Sequence, residues 1–191
     1  MPCDGWIAQV EQVMKPRKSE FAQSFLVESQ RSIAAYHMPR LIRCLKMLPE
    51  KEIWWGPNAA SNSAGNLVLH LSGNVRQWII SGLGNARDHR DRDREFAERG
   101  PISRRALIAL IRKTVDGACS VLGRLSDDSL VRIYDIQGFR VSGMYAVSQV
   151  VWHFAYHTGQ IIFITKWKLG KDLRFTHLPG EKGMKTIARV P

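Results

Sequence analysis

Apolar residues recur at helical spacing along most of the chain, and helix-breaking residues divide this pattern into segments. The first segment runs from about Ser19 to Leu48, where Pro39 predicts a kink or a break. Either Ser61 or Ser63 could cap the second helix, and Gly82 is a suitable terminator for it. Two helices therefore occupy the first half of the chain.

The second half contains two further helical segments with an extended stretch between them. Ser103 is a candidate cap for a helix that ends near Leu125, and the last helix spans about Met144 to Leu169, just before Gly170. Residues 131–141 suggest a small hairpin between the two helices. The pattern predicts an all-α protein: a four-helix bundle with long connections and a small hairpin before the last helix.

Composition divides the chain into three regions. We expect an N-terminal extension at 1–18, one bundle domain at 19–170 and a basic, loosely ordered tail at 171–191. Within the bundle, the run "NARDHRDRDREFAERGP" alternates charges of both signs. Such a run predicts a solvated linker or a short exposed helix.

The cysteine count and the charge-free stretches limit the cellular setting. Three widely spaced cysteines indicate neither a disulfide framework nor a cysteine-based zinc site, so we expect a reducing cytoplasm. Residues 53–75 and 141–165 carry no Asp, Glu, Lys or Arg and are long enough to span a bilayer. They contain many Asn, Ser, Gln and His residues, however, and we therefore expect no membrane span.

The net charge of +11 favours anionic partners. A phosphorylated or carboxylated small molecule and a nucleic acid are both compatible with that charge. The basic residues are spread over several segments and form no recognised DNA-binding motif, which argues against nucleic acid.

The last helix carries a narrow polar stripe in an otherwise apolar sequence. His153 and His157 are four residues apart, and Gln149, Tyr156 and Gln160 lie within about 60° of His153 on a helical wheel. An ordinary solvent-facing stripe would have the same geometry, but it would normally contain Lys, Glu or Arg. The composition instead resembles the lining of a semi-buried polar cavity.

The second helix has the same design around His70. Asn66 and Asn74 lie within about 40° of it, and the remaining positions are mostly apolar. Two imidazoles at i and i+4 can share one metal ion, and a third from a facing helix would leave positions open for water or substrate. The spacing does not distinguish zinc, nickel, copper and iron. Asn66, Gln149 and Gln160 are candidates to hold the second ring nitrogen of a ligand.

Three stretches resemble the DinB-like superfamily of bacterial four-helix-bundle metalloproteins. They are "GNLVLHLSGNVRQWI", "HFAYHTGQI" and "WWGPNAASNS", and the similarity in order and spacing covers about residues 20–170. The resemblance implies a divalent metal ion, zinc or nickel, on His70, His153 and His157, and it implies a homodimer. Gln149 stands where some members have a further histidine, so no fourth protein ligand is expected.

The resemblance also implies a class of chemistry, because characterised relatives include transferases and isomerases that activate a low-molecular-weight thiol at the metal. It leads us to expect a thiol-dependent S-transferase or a hydrolase that acts on a small, anionic or thiol-linked electrophile. The alternative is a metal-stabilised binding or sensing module without turnover. That alternative is kept because neither histidine stripe contains an Asp or Glu to act as a general base.

Overall fold

A computed structural model describes residues 19–100 and 102–175. The expected extension at 1–18 and most of the expected tail, residues 176–191, lie outside the described residues. Within the tail's first five residues, Leu173 is only 1% exposed and packs into the core.

The first bundle helix is continuous but changes its winding in the middle. It consists of α1 (Glu20–Gln30), a π-helical segment (Arg31–His37) and α2 (Met38–Met47). Of the kink or break predicted at Pro39, the break does not occur, because the chain remains helical on both sides of the proline. A proline ring normally collides with the carbonyl group of the turn before it. The wider π turn immediately upstream accommodates this position without ending the helix.

The rest of the bundle consists of longer helices and of the shorter elements that connect them. In chain order, the remaining elements are a 3₁₀ turn at Glu50–Glu52, α3 (Ala64–Val75), a second π segment (Arg76–Ser81), α4 (Arg92–Ala97), α5 (Arg104–Leu122), α6 (Asp127–Val131), β1 (Ile133–Ile136), β2 (Phe139–Ser142) and α7 (Gly143–Leu169). The prediction of an all-α bundle with a small hairpin before the last helix is confirmed.

Local signals set several of these boundaries. Ser63 caps α3: its hydroxyl accepts from the Asn66 amide, and the Asn66 side chain in turn accepts from the Ser63 amide. The last helix, α7, begins after Ser142 and ends before Gly170. The φ of Gly170 is 60°, in the left-handed region that favours glycine. The hairpin turns at Gln137 and Gly138, both with positive φ, as two-residue hairpin turns prefer.

The centre of the bundle is α3, which is enclosed on nearly all sides. Ten of its 12 residues are buried, and it packs against α4, α5 and α7. Its polar side chains therefore lie inside the protein, which excludes a solvent-facing stripe on this helix. Among the described residues, no helix is both long and apolar enough to cross a membrane.

The charge-rich run that follows the second π segment is only partly the exposed linker that its sequence predicts. It contains the short helix α4, and most of its side chains are exposed. Two of its charged side chains are nevertheless enclosed: Arg90 is 3% exposed and Glu95 is 10% exposed. Their charges are compensated inside the protein, because they pair with each other and because Glu95 also contacts His70 of α3.

We expect Ser63→Ala to lower the free energy of unfolding by about 1–2 kcal/mol, because it removes a cap that satisfies an amide at the start of α3. Urea unfolding followed by circular dichroism measures this change. Ser61→Ala is the matched control, because the Ser61 hydroxyl contacts only the exposed Asn58 side chain. Equal losses for the two variants would contradict the assignment of Ser63 as the cap.

Candidate metal centre

Three histidines from two facing helices converge on one point. His70 projects from α3 and is 5% exposed, while His153 and His157 project from successive turns of α7. The His153 Nε2 atom lies 3.2 Å from His70 Nε2 and 3.1 Å from His157 Nε2. The structure therefore brings together the three side chains that the sequence singles out.

The separation of these nitrogens suits a shared metal ion. One ligand atom from each of the three residues lies within 4.8 Å of the others. A tetrahedral ion with nitrogen ligands at about 2.0–2.1 Å would hold its ligand atoms about 3.3 Å apart. The separations of His153 Nε2 from His70 Nε2 and from His157 Nε2, 3.2 and 3.1 Å, are close to that value. Imidazole is a suitable ligand for several divalent transition metals.

Hydrogen bonds at the Nδ1 atoms of His70 and His157 determine whether the Nε2 atom of each ring carries a hydrogen or a lone pair. His70 Nδ1 lies 3.0 Å from the Glu95 Oε2 atom, and His157 Nδ1 lies 2.6 Å from the Gln160 Oε1 atom. Both oxygens are acceptors, so each Nδ1 carries the hydrogen and each Nε2 presents a lone pair. His153 Nε2 has only one hydrogen or one lone pair to offer, and it cannot satisfy both neighbours. A cation bound between the rings would resolve this conflict, because all three Nε2 atoms could then present lone pairs.

Glu95 is held against His70 by an arginine. Arg90 donates to both Glu95 oxygens, at 2.8 Å from Nε and 2.9 Å from Nη2. Burial would raise the pKa of the Glu95 carboxyl, but the hydrogen bonds from Arg90 and His70 outweigh burial and lower it. The Arg90 Nη2 atom also lies 3.1 Å from His70 Nδ1, yet the negative charge of the carboxylate favours a hydrogen on that nitrogen.

The close approach of Glu95 to α3 depends on Gly73. A Cβ atom at this position would overlap the Glu95 carboxylate, and it would also press on the Arg90 side chain. Glycine thus opens the space that the carboxylate needs beside His70, one turn earlier on the same helix.

The hydrogen bonds of the Asn66 side chain go to groups other than the histidines, although the sequence made it a candidate partner for one. Its side-chain nitrogen donates to the backbone oxygens of Glu95 at 3.0 Å and Glu98 at 2.8 Å. Its side-chain oxygen accepts from Ser63. Asn66 is therefore one step removed from the site: it fixes α4, and α4 carries the carboxylate that contacts His70.

The other candidates occupy different places around the cluster. Gln160 accepts from His157, and the exposed Tyr156 ring lies edge-on to His157 with 5.1 Å between ring centroids. Asn74 and Gln149 are buried, and within residues 19–100 and 102–175 neither forms a hydrogen bond to a histidine. Among the described residues, the Asn74 Oδ1, Gln149 Oε1 and His153 Nδ1 atoms are buried without a hydrogen-bond partner.

These three unpaired atoms are complementary in their chemistry. His153 Nδ1 needs an acceptor if its Nε2 faces a metal, whereas the Asn74 and Gln149 oxygens need donors. Gln149 is one turn before His153 on α7, and Asn74 is one turn after His70 on α3.

The surroundings keep the α7 histidines neutral at physiological pH. Burial, together with the neighbouring His157 and His70 rings, lowers the pKa of His153 to about 3. Burial and His70 also lower the pKa of His157, against an opposing effect of the Gln160 hydrogen bond. Neutral rings have lone pairs available for a metal, so proton competition is weak at pH 7.

Sequence reasoning missed Glu95 and Arg90. Both belong to a run in which acidic and basic residues nearly alternate, and nothing local distinguishes them from their exposed neighbours. A carboxylate 25 residues after His70 becomes its partner only when α4 folds back onto α3.

We expect the metal-free protein to lose stability as the pH falls, in part through His153. Because the folded-state pKa is about 3 and the ordinary value is 6.5, the unfolded chain binds more protons between these limits and the native state is destabilised there. Urea unfolding of chelator-treated protein at about pH 7 and about pH 5 should show a smaller loss for His153→Gln than for the unmodified chain.

His89→Gln provides the control, because His89 is exposed and its removal leaves the buried cluster intact. An equal pH dependence for His153→Gln and the unmodified chain would show that the His153 ring is protonated as easily in the folded state as in the unfolded state.

Solved structures share this fold. A conserved protein from Enterococcus faecalis superimposes with a TM-score of 0.65 at 15% identity, covering 75% of this chain and 96% of that one. A DinB-like protein from Bacillus cereus ATCC 10987 gives 0.57 at 18% identity, with 71% and 87% covered. The DinB-like protein YjoA from Bacillus subtilis gives 0.57 at 17% identity, with 75% and 93% covered.

Sequence comparison gives the family. No curated protein matches the chain. Residues 20–182 match the model of a family described as "Protein of unknown function (DUF1572)", and this match includes all three histidines and both helices that carry them. The chain therefore has the DinB-like bundle fold and belongs to the DUF1572 family.

Proposed function

We propose that the protein is a divalent-metal-dependent enzyme of the DinB-like type, with the ion held by His70, His153 and His157. One observation carries the proposal: His153 Nε2 lies within about 3.2 Å of both His70 Nε2 and His157 Nε2, while Glu95 and Gln160 hold those two rings so that their lone pairs point inward. Zinc and nickel both accept imidazole ligands, and we propose one of these two metals.

The ion would supply Lewis acidity, lowering the pKa of a thiol or a water molecule that binds at its open position. The protein's own residues would orient the ligands. Glu95, fixed by Arg90, keeps the His70 ring in one tautomer, and Gln160 does the same for His157.

The described residues offer no free carboxylate beside the histidines. Glu95 is already engaged by Arg90 and His70, so it is poorly placed to accept a proton from a nucleophile. This favours a nucleophile that is easily ionised. A thiol meets that requirement better than water, and we therefore propose a thiol-dependent S-transferase in preference to a hydrolase.

The position of Arg92 near the histidines favours a ligand with a negative charge. Its guanidinium carbon lies 4.9 Å from the centroid of the Phe96 ring, and Phe96 lies 4.6 Å from the His70 ring. Arg92 is exposed, and within residues 19–100 and 102–175 it forms no ion pair. A guanidinium in this position could bind the carboxylate of a thiol cofactor or of its conjugate. The free thiols of Cys44 and Cys119 are compatible with the reducing cytoplasm in which we place the enzyme.

The second candidate is a metal-stabilised binding or sensing module. The same engagement of Glu95 that disfavours a hydrolase would also suit a site that binds a ligand and does not turn it over. In that case the ion would contribute to folding stability and to ligand affinity alone.

Metal content tests the first step of the proposal. We expect the unmodified chain, purified without added metal, to retain about one divalent ion, and His153→Ala to retain almost none. Elemental analysis gives the content. His89→Ala is the control, because it removes an exposed histidine from the same fold.

A substitution at Glu95 tests whether this carboxylate contributes to metal affinity. Glu95→Gln keeps the three histidines but removes the charge opposite His70, and we expect zinc affinity to fall by about 10–100-fold in a competition titration.

In the elemental analysis, equally low metal content in the unmodified chain and in His153→Ala would refute the metal site.

Turnover tests the second step. We expect the metal-loaded protein to accelerate the reaction of a low-molecular-weight thiol, such as N-acetylcysteine, with chlorodinitrobenzene. Chelation should lower that rate by at least about 100-fold, and zinc or nickel should restore it, because the ion supplies the thiol's acidity. His70→Ala should behave like the chelated protein.

The other outcomes separate the remaining candidates. Ester hydrolysis that needs metal but no thiol would favour the hydrolase. A full complement of metal without turnover across a panel of thiols and electrophiles would support the binding module.

A further inference from the structure

A second cavity lies on the side of α7 that faces away from the histidine cluster. Its volume is about 460 Å³, within the range of small-molecule sites, and its walls come from the first π-helical segment, α2, α7 and the residues that follow α7. Around the α7 axis, Thr158 and Lys166 are rotated by about 140° and 220° from His153. We call this space the basic cavity and define it by six of its lining residues: Tyr36, His37, Arg40, Thr158, Lys166 and Arg174.

Positive charge exceeds negative charge in the basic cavity. Arg40, Lys166 and Arg174 contribute three cationic groups to the lining, and Asp172 contributes the one carboxylate found there among the described residues. Asp172 is shared: the Arg174 backbone amide, followed by the charges of Lys166 and Arg174, lowers the pKa of its carboxyl. Three cations and one carboxylate leave an excess of two positive charges, which favours an anionic ligand.

The guanidinium of Arg40 is held in place without a ligand. Its carbon lies 3.5 Å from the centroid of the Tyr36 ring, and its nitrogens donate to the backbone oxygens of Tyr36 at 2.6 Å and Phe175 at 3.4 Å. These two contacts use two of the five N–H groups of a guanidinium. Arg40 is therefore a positioned donor that loses little conformational freedom when it binds an anion.

The π-helical segment supplies two residues of the lining, Tyr36 and His37. Such segments inside α-helices occur frequently at functional sites. The Tyr36 side chain is 45% exposed, so the core does not require its ring. The irregular winding of the first bundle helix thus coincides with the wall of the basic cavity.

Two neighbouring residues of α7 lack a reason for their identity within the described chain. Thr158 is 1% exposed, and its hydroxyl is buried without a hydrogen-bond partner among the described residues. Such a group costs stability, and a ligand oxygen would give it a partner. A Cβ atom on Gly159 would meet no atom within 4 Å, although glycine is a poor helix former in the middle of a 27-residue helix. The missing side chain leaves the basic cavity open.

We propose that the basic cavity binds a small phosphate monoester, with its phosphate group among Arg40, Lys166 and Arg174. A phosphate monoester carries a charge of about −1.5 to −2 at pH 7, which matches the excess charge of the cavity, whereas a single carboxylate carries −1. A guanidinium also binds two phosphate oxygens at once. Because the cavity and the histidines lie on opposite sides of α7, the proposal does not depend on metal binding or on catalysis.

Isothermal titration calorimetry of the full chain with phenyl phosphate tests the site. We expect saturable binding of about one molecule per chain, and Arg40→Gln should weaken it by at least about 10-fold because a positioned, charged donor is lost. Lys166→Gln should also weaken it, and the exposed position of Lys166 keeps the fold intact. Absence of saturable binding to the unmodified chain would overturn the proposal.

Arg105→Gln is the matched control. It removes the same charge from an exposed position of α5, a helix that contributes no residue to the lining. Binding should be unchanged in this variant. An equal loss of affinity in Arg105→Gln and Arg40→Gln would show attraction to the overall charge of the protein and would overturn the assignment of a site.

His70→Ala separates the basic cavity from the metal centre. The variant lacks one of the three converging histidines, and we expect it to bind phenyl phosphate as tightly as the unmodified chain does. Loss of binding in His70→Ala would place the phosphate at the metal centre and overturn the proposal. Failure of the metal centre itself would leave this result unchanged.

The imidazole of His37 reports on the cavity directly. Burial, and then the charge of Arg40, lowers the pKa of His37. The other charged groups that line the cavity are Lys166 of α7 and, beyond α7, Asp172 and Arg174. A bound phosphate would offset the positive charges, so the pKa of His37 should rise when phenyl phosphate saturates the protein. An NMR titration measures the pKa, with His37→Gln to assign the signal, and an unchanged pKa would overturn the proposal.

A benzoate titration tests the class of anion. Benzoate keeps the aromatic ring but carries one negative charge, so we expect it to bind at least about 10-fold more weakly than phenyl phosphate. Equal or tighter binding of benzoate would overturn the assignment to a phosphate monoester.

Thr158→Val tests the unpaired hydroxyl. The substitution keeps the shape of the side chain and removes a buried polar atom without a partner. We expect weaker binding of phenyl phosphate together with unfolding at a higher urea concentration. Unchanged affinity, or unfolding at a lower urea concentration, would contradict the role of Thr158 in this site.

Discussion

Three imidazole rings that meet through their Nε2 atoms inside a bundle are the constraint on which the rest of this structure depends. Such an arrangement is unfavourable without a cation, because two of the nitrogens present lone pairs to a third, His153 Nε2, which cannot satisfy both. The protein maintains it by holding the opposite side of two rings. Glu95 accepts from His70 and Gln160 accepts from His157, which leaves the Nε2 atoms facing inward. The convergence of the three rings is thus maintained by groups that lie behind two of them, on the side away from the shared centre.

This outer support extends into the fold. Glu95 reaches His70 because Gly73 leaves room for the carboxylate, and its position is set by Arg90 and by the backbone contacts of Asn66 to α4. The short helix α4 therefore has a structural task that its exposed appearance conceals. A buried charge pair of this kind contributes little net stability but is costly to break, because removing one partner leaves the other uncompensated. We infer that the pair is present for ring orientation.

The sequence by itself determined the elements and singled out the three histidines that the fold brings together. Helical periodicity, the caps at Ser63 and Ser142, and the i, i+4 histidine pair are signals that act within a few residues, and they are visible without a fold. Only the tertiary structure decided what lies around them. The pairing of Glu95 with His70 and the continuation of the first helix through Pro39 follow from the packing of whole helices. Neighbouring residues in a charge-balanced run are locally equivalent, and only contact with a distant helix determines which of them is buried.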